Sequence, residues 1–249
     1  MLMVLLVATL SAQPQSYPRW FLEQGTLLCK LSAVGYSPLW LSKDSSLAQA
    51  ARDARGNLVR QRETVVELGQ AFWTTEAGTS WMGGEFKLSI DSSSYLKSLR
   101  DTSAVTVCFC SDFVIALASD GASELPDLMK ETVRMPKDEP GWVRETPSDA
   151  TRYYSVGVSP RYFYEMSSWM SAERMALIGL AKAGGDSLAA IEKSAAGSGQ
   201  EVLSEEATVA IHYYQVNARW CDEANGVFYV LMSAEKDDVK GSSVRNGTR

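Results

Sequence analysis

The sequence predicts an α+β fold built from two tandem repeats of a small module, each an antiparallel-rich sheet with one main helix packed on it. Residues 18–58 align without a gap with residues 140–180 at an offset of 122 positions, and thirteen of the 41 pairs are identical. Unrelated segments would share about two or three. In both segments a run rich in β-branched and aromatic residues precedes apolar residues at helical spacing, which predicts a strand and then a helix.

The identical pairs keep one order and include two distinctive patterns, Pro-x-Trp and Val-Gly-x-Ser-Pro. The pairs are Pro18/Pro140, Trp20/Trp142, Glu23/Glu145, Val34/Val156, Gly35/Gly157, Ser37/Ser159, Pro38/Pro160, Ser45/Ser167, Ser46/Ser168, Ala50/Ala172, Arg52/Arg174, Ala54/Ala176 and Leu58/Leu180. We interpret them as an internal duplication.

Each copy begins with a predicted strand that stops at Ser-Pro. The two runs are Thr26–Tyr36 and Thr151–Val158. Gly35 and Gly157 lack a Cβ, which suits a bulge or a close backbone approach. Pro38 and Pro160 remove the next ladder donor, so they should end the strands.

The main helix of each copy follows, and its apolar stripe should pack on the sheet. The stripe residues are Leu47, Ala50, Ala51, Ala54 and Leu58 in the first copy and Trp169, Ala172, Ala176 and Leu180 in the second. The Ser45-Ser46 and Ser167-Ser168 pairs are the predicted N-caps. Arg52 and Arg174 lie off the stripe, so they should be solvated or paired.

Further strands are predicted after each helix. They are Thr64–Thr75 and Ala104–Ser119 in the first copy, with a short helix near Ser92–Arg100 between them, and Glu206–Trp220 and Gly226–Ala234 in the second. Asp222–Gly226 is a turn cluster, so the last pair should form a hairpin. The first copy has no clear counterpart of this hairpin.

Five segments result from these patterns. They are a signal peptide at residues 1–12, a first module at 13–134, a linker at 135–149, a second module at 150–236, whose Pro-x-Trp segment starts at 140, and a disordered tail at 237–249. The linker is polar and contains proline, and the tail is polar and rich in Gly and Ser.

The apolar stretch Met1–Ala12 ends in small residues and is followed by polar Gln13, which predicts a secretory signal cleaved after Ala12. The alternative is a strand or buried helix of a cytosolic protein. No apolar run approaches the ~18 residues of a membrane-spanning helix.

Four cysteines, Cys29, Cys108, Cys110 and Cys221, are compatible with export and allow three connectivities of two bridges. We favour the interpretation that these cysteines are small apolar residues buried in the core. The alternative is a zinc site in which His212 is the fourth ligand, but no metal-binding spacing in the sequence supports it.

Features of an enzyme are scarce. The net charge of −6 argues against nonspecific nucleic-acid binding. His212, the single histidine, lies in a strand-like run and is expected to be structural, although its pKa range would allow a general base. Ser94 and Lys97 fit the Ser-x-x-Lys pattern of penicillin-recognising enzymes without the accompanying motifs. We therefore predict no catalytic residue, cofactor or metal.

The order of these motifs resembles the LPP20 family of envelope lipoproteins and related flagellar basal-disk proteins. The residues that carry the resemblance are Pro18, Trp20, Val34, Gly35, Ala50, Arg52 and Ala54 in the first copy and Pro140, Trp142, Val156, Gly157, Ala172, Arg174, Ala176, Trp220, Asp222, Gly226 and Val227–Leu231 in the second. The resemblance covers about two-thirds of the mature chain, and it implies a periplasmic module that works by assembly. The family's lipid-bearing cysteine is absent here.

We therefore expect a non-catalytic exported protein of the periplasm or outer-membrane periphery that binds envelope proteins or its own copies. Peripheral membrane association is compatible with this expectation. The alternative is a periplasmic enzyme or small-ligand-binding protein that uses the cleft between the modules. Convergent polar groups around His212 would favour that alternative, whereas exposed apolar patches would favour assembly.

Two further expectations concern the repeated Pro-x-Trp segments. The pairs Glu23/Arg52 and Glu145/Arg174 are predicted ion pairs, with independent surface charges as the alternative. Trp20 and Trp142 are expected to anchor each segment against its own module.

Overall fold

The computed structural model describes residues 16–27, 31–75, 78–89, 104–120, 130–184 and 201–248. Two three-stranded antiparallel sheets each carry one long helix, and strands from both halves pair in a four-stranded sheet. The predicted α+β fold class is therefore confirmed. The predicted signal peptide, Cys29, Ser94, Lys97 and the short helix at residues 92–100 lie outside the described residues.

The described chain starts with a short leading segment of strand β1 (Ser16–Pro18), helix α1 (Arg19–Leu22) and a 3-10 turn (Gln24–Thr26). β1 pairs antiparallel with β7 (Thr132–Arg134), which precedes the second half of the chain. The second half of the chain begins in the same way as the first. Helix α3 (Gly141–Arg144) follows Pro140, just as α1 follows Pro18.

The first unit contains β2 (Ser32–Pro38), the 20-residue helix α2 (Lys43–Arg62) and the hairpin of β5 (Ala104–Phe109) and β6 (Phe113–Ser119). The sheet order is β2-β6-β5, and α2 packs on it. The sequence predicts one long strand at Ala104–Ser119 and no clear counterpart of the second copy's hairpin. The structure shows a hairpin there instead. Its turn lies at residues 110–112, a short polar signal that is weaker than the Asp222–Gly226 cluster.

The second unit contains β8 (Arg152–Pro160), the 20-residue helix α4 (Glu165–Gly184) and the hairpin of β10 (Gln215–Asp222) and β11 (Val227–Glu235). The sheet order is β10-β11-β8, and α4 packs on it. The two long helices start and end at positions that differ by the same 122 residues as the sequence alignment.

Gly35 and Gly157 lie where each first strand meets its helix. A Cβ on Gly35 would be 2.0 Å from the Ala54 nitrogen, and one on Gly157 would be 1.9 Å from the Ala172 oxygen. Real Cβ atoms do not approach backbone so closely. The predicted close approach is confirmed, and Ala50, Ala54, Ala172 and Ala176 of the helical stripes are fully buried beneath it.

A four-stranded sheet, formed by strands from both halves of the chain, joins the units. Strand β3 (Glu63–Thr75) follows α2, β9 (Glu201–His212) precedes β10, and the two pair antiparallel from Glu63↔His212 to Thr74↔Glu201. The outer strands are β4 (Gly78–Ser89) and β12 (Val239–Thr248). The predicted disorder of the tail at 237–249 is wrong for Val239–Thr248, because β12 pairs along β9 from Val239↔Ile211 to Thr248↔Leu203, while Arg249 lies outside the described residues.

The leading segment packs between the two units. Helix α1 contacts β10, and Trp20 is 1% exposed within a core that includes Trp169 and Trp220. The expectation that Trp20 anchors the segment to its own module is incomplete, because this core contains side chains of both units. Trp142 is half-buried and packs against the same core.

Two more sequence predictions differ from the structure. The N-cap of α2 is Ser42, whose side chain accepts a hydrogen bond from the Ser45 nitrogen at 3.3 Å, so the predicted Ser45-Ser46 cap lies inside the helix. In the second copy, helix α4 likewise begins before the predicted Ser167-Ser168 cap. The predicted strand Glu206–Trp220 is interrupted at Tyr213, which has a positive φ of 52°.

The larger hydrophobic core draws side chains from both units and the leading segment, whereas the smaller one lies between α2 and the first sheet. Among the described helices, none has the length and apolar character to cross a membrane.

Candidate functional site

Exposed apolar side chains occupy the same loop in both units, between the first strand and the long helix. Trp40 is 57% exposed and Leu41 fully exposed in the first unit, and Phe163 is 92% exposed in the second. Exposed Leu39, Tyr162 and Tyr164 extend the two groups. Large apolar groups on a surface normally mark a site of interaction.

A buried serine hydroxyl forms a hydrogen bond with the backbone of each loop. The Ser46 hydroxyl accepts a hydrogen bond from the Trp40 nitrogen at 2.9 Å, and the Ser168 hydroxyl accepts one from the Tyr162 nitrogen at 2.7 Å. Both serines are completely buried in the first turn of their helices. The loop backbone is thus tied to the helix, while the Trp40 and Phe163 side chains lie exposed. The repeated serines thus shape the loops.

The two loops lie near the same end of the molecule. The Leu39 nitrogen donates to the Asp112 oxygen at 3.4 Å, beside the exposed ring of Phe109. The charge of Asp112 helps to raise the pKa of Glu165, the residue directly after the second loop. We define the loop surface as Leu39–Leu41, Phe109 and Tyr162–Tyr164.

Glu165 also ties this end to the leading segment. Its Oε1 accepts hydrogen bonds from the Tyr17 hydroxyl and from the Trp169 indole at 3.2 Å. Burial is the main cause of its raised pKa, and burial together with the Glu165 charge raises the pKa of Tyr17.

A cleft of about 600 Å³ opens between the two long helices. The side chains that line it come from β2, α2, α4, β10 and their neighbours, and include Asp53, Gln61, Glu173 and Arg219. The cleft lies between the units, as the alternative hypothesis expects. His212 is not among its lining residues: it lies at the end of β9, opposite Glu63.

Arg219 is the centre of a buried network on one side of the cleft. Its guanidinium donates to Glu173 Oε1 at 2.6 and 3.0 Å, and to the Phe21 carbonyl and Gln24 Oε1, each at 2.8 Å. The Tyr36 hydroxyl donates to the same Glu173 oxygen at 2.6 Å. The network therefore joins the leading segment, the first unit and the second unit.

Asp53 is the acidic residue on the opposite side of the cleft. Burial raises the pKa of its carboxyl, and the charge of Glu173 adds to the effect. The Tyr36 nitrogen donates to Asp53 Oδ2 at 2.9 Å and opposes the shift. The cleft thus brings a carboxyl from each unit close together.

The thiols do not form a metal centre in the part of the chain that the structure describes. Cys108, Cys110 and Cys221 are free, and no group of three or more His, Cys, Asp or Glu among the described residues is placed to hold a metal ion. A hydrogen bond between Cys108 and Cys110 lowers the pKa of the first thiol and raises that of the second.

The other predicted motif residues serve the fold. Pro38 and Pro160 close the two first strands, and the Trp220 indole donates to the Pro136 carbonyl at 2.8 Å. Asp222 accepts from the Gly226 nitrogen at 2.8 Å across the predicted turn, where Gly226 has a φ of +65°.

The predicted ion pair of Glu23 with Arg52 is wrong, whereas the pair of Glu145 with Arg174 stays a prediction. Glu23 lies 3.8 Å from Arg19, one helical turn away, rather than pairing with Arg52.

Sequence reasoning missed Arg219, Glu173, Gln61 and Asp53. An arginine inside the apolar run of β10 is the one signal that could have indicated a buried network, since an unpaired arginine is rarely buried. Its partners lie far away in the chain, so no spacing indicates them. No protein-family model, curated protein or solved structure matches this chain.

Proposed function

We propose that this chain is an exported envelope protein, similar to the LPP20 family, that contains two copies of one module and acts by assembly rather than catalysis. The observation that carries the proposal is the loop surface, in which both units expose apolar side chains from an equivalent loop.

The two-module interpretation is supported by equivalences beyond the alignment. Both long helices have 20 residues at the same offset, and β2 and β8 pair with β6 and β11 in the same register about Gly35 and Gly157. The buried serine contacts to the loops also recur. Shared composition alone does not produce the same local contacts twice. Export rests on the apolar Met1–Ala12 segment.

The chemistry of the loop surface favours a protein partner. Trp, Tyr, Phe and Leu side chains are large apolar groups of the kind that anchor protein interfaces, with Trp and Tyr most enriched at their centres. Asp44, Asp112 and Glu165 lie beside the loops together with the cations Lys43 and Arg161, and the chain carries a net charge of −6, so its overall charge does not favour an anionic lipid surface. A second copy of the chain is the partner we commit to, since equivalent apolar surfaces commonly form symmetric contacts.

The test measures the mass of the purified mature chain by light scattering over a range of concentrations. The wild type is expected to self-associate, whereas the double variant Leu41→Ser with Phe163→Ser should be monomeric at concentrations at least tenfold higher. Met175→Ser, which replaces an exposed apolar side chain of α4 outside the loop surface, is the control and should behave as the wild type. A monomeric wild type, or equal association of the double variant, would contradict the proposal.

A further inference from the structure

Two cysteines, Cys108 and Cys110, lie side by side at one end of the first sheet. Cys108 belongs to β5, an edge strand, because among the described strands β5 pairs with β6 alone. Cys110 follows the strand, and its nitrogen donates to the Phe113 carbonyl at 2.9 Å, so the hairpin pairing continues to it. Alternate side chains of an extended strand share a face, so both thiols point toward the larger core. Both are only partly buried there.

A hydrogen bond joins the two thiols and makes them unequal. It stabilises the Cys108 thiolate and so lowers the pKa of that thiol. The same bond is the largest cause that raises the pKa of Cys110, and burial and the charges of Cys108, Glu165 and Asp112 raise it further. A thiol that ionises readily beside one that keeps its proton is the arrangement of an attacking and a resolving cysteine.

Cys221 shows how a cysteine that only fills the core differs from this pair. It is 5% exposed, and burial is the main cause that raises its pKa to about 11. A buried thiol of this kind is chemically inert. Cys108 differs from it both in exposure and in the direction of its pKa shift, so apolar packing alone does not account for Cys108.

A bond between the two sulfurs is within reach of the chain but strained. Extended backbone separates residues i and i+2 by about 6.4–6.8 Å, which is the upper end of the Cα separations of about 4.4–6.8 Å that disulfides span. The backbone must therefore adjust when the bridge forms. The open edge of β5 and the turn at residues 110–112 allow this, because few ladder hydrogen bonds need to break. Strained bridges are reduced easily and are typical of regulatory pairs.

We propose that Cys108 and Cys110 form a reversible dithiol–disulfide site that exchanges with a small organic disulfide of the glutathione type. Cys108 is the attacking cysteine, and Cys110 is the resolving cysteine. The proposal does not depend on the loop surface, and it is tested by the oxidation state of the thiols and not by molecular mass, so either proposal can fail alone.

The exchange proceeds in two steps. The Cys108 thiolate attacks one sulfur of the disulfide RSSR, so that a mixed disulfide forms and the other half leaves as RS⁻, which takes up a proton. Cys110 then loses its proton, and its Sγ attacks Cys108 Sγ and expels the second RS⁻, which is protonated in turn. The chain loses two electrons and two protons, and RSSR is reduced to two RSH.

The first step prepares the second. In the mixed disulfide Cys108 has neither a charge nor a thiolate that accepts the Cys110 hydrogen bond, so two of the causes that raise the pKa of Cys110 are removed. Burial and the charges of Glu165 and Asp112 remain. Cys110 therefore becomes the better nucleophile only after Cys108 has reacted.

The experiment incubates the full mature chain with mixtures of reduced and oxidised glutathione at neutral pH. Free thiols are then blocked after an acid quench and mapped by peptide mass. A Cys108–Cys110 bridge is expected to form and to be reduced again by excess glutathione, while Cys221 stays a thiol. In a separate run, iodoacetamide should alkylate Cys108 at least tenfold faster than Cys221. Absence of the bridge at every ratio, or equal alkylation rates, would overturn the proposal.

Alanine variants of the three thiols separate the two roles. Cys110→Ala should stop at the mixed disulfide between Cys108 and glutathione, whereas Cys108→Ala should leave Cys110 reacting at least tenfold more slowly than Cys108 does in the wild type. Cys221→Ala is the matched control and should form the bridge as the wild type does. Circular dichroism checks that each variant is folded. A folded Cys110→Ala variant that gives no mixed disulfide would reject Cys108 as the attacking residue.

Discussion

Gly35 and Gly157 show what a single residue decides in this molecule. Each lies where a first strand crosses its helix, and the space for a Cβ is already occupied by helix backbone. Neither residue has a positive φ, so the requirement is contact and not backbone conformation. The sequence indicated this contact because only glycine permits it and because it occurs twice.

Replacement of either glycine by alanine is expected to lower the free energy of unfolding by about 3 kcal/mol or more, because the backbone of strand or helix must move. Gly141→Ala is the matched control, since nothing lies within 4 Å of its Cβ position, and it should change stability by no more than about 0.5 kcal/mol. Chemical denaturation of the three variants provides the measurement. A Gly35→Ala variant as stable as the control would show that the close approach is absent.

The two Pro-x-Trp segments show how one local signal can lead to different packing. Helices α1 and α3 begin after prolines with the same backbone conformation, φ −64° with ψ 143° and 145°. α1 is inserted between the units, where the Phe21 ring lies 5.4 Å from that of Trp169 and 6.3 Å from that of Tyr36. α3 has no fully buried residue.

Trp20→Ala should therefore lower the free energy of unfolding by about 3–5 kcal/mol, the typical cost of removing a fully buried aromatic side chain. Trp142→Ala, the equivalent change at a half-buried position, should cost no more than about 2 kcal/mol. The two denaturation midpoints give the comparison. Equal losses would mean that the two segments pack alike, contrary to the described core.

At the scale of the whole molecule, two features hold the units together. The β3–β9 ladder extends from Glu63↔His212 to Thr74↔Glu201, and the Arg219 network joins three separate parts of the chain. The side chain of Arg219 is fully buried and that of Glu173 nearly so. A buried pair contributes little net stability when intact, but removal of one charge leaves the other without compensation.

Glu173→Gln should consequently destabilise the whole chain by about 3–5 kcal/mol, in one cooperative transition rather than a loss of one unit. Glu139→Gln removes one partner of the exposed pair with Arg144, 2.9 Å apart, and should cost no more than about 1 kcal/mol. Thermal unfolding followed by tryptophan fluorescence and by circular dichroism is the measurement. Separate transitions would indicate that the network does not couple the units.

The sequence by itself determined the α+β class, the strand and helix of each copy, the glycine contacts and the apolar stripes. These features depend on neighbouring residues, on side-chain periodicity and on steric limits, all of which are local. It failed for the helix starts, because Ser42 and the Ser45-Ser46 pair are equally good capping residues and only the path of the loop distinguishes them.

Only the tertiary structure decided where the leading segment packs, how the polar C-terminal strand pairs, and which side chains meet in the cleft. Tyr36, Glu173 and Arg219 are far apart in the chain and belong to three different elements. The aromatic side chains of the leading segment contact Trp169 of the second unit and Tyr36 of the first, and this packing depends on shapes that exist only after folding.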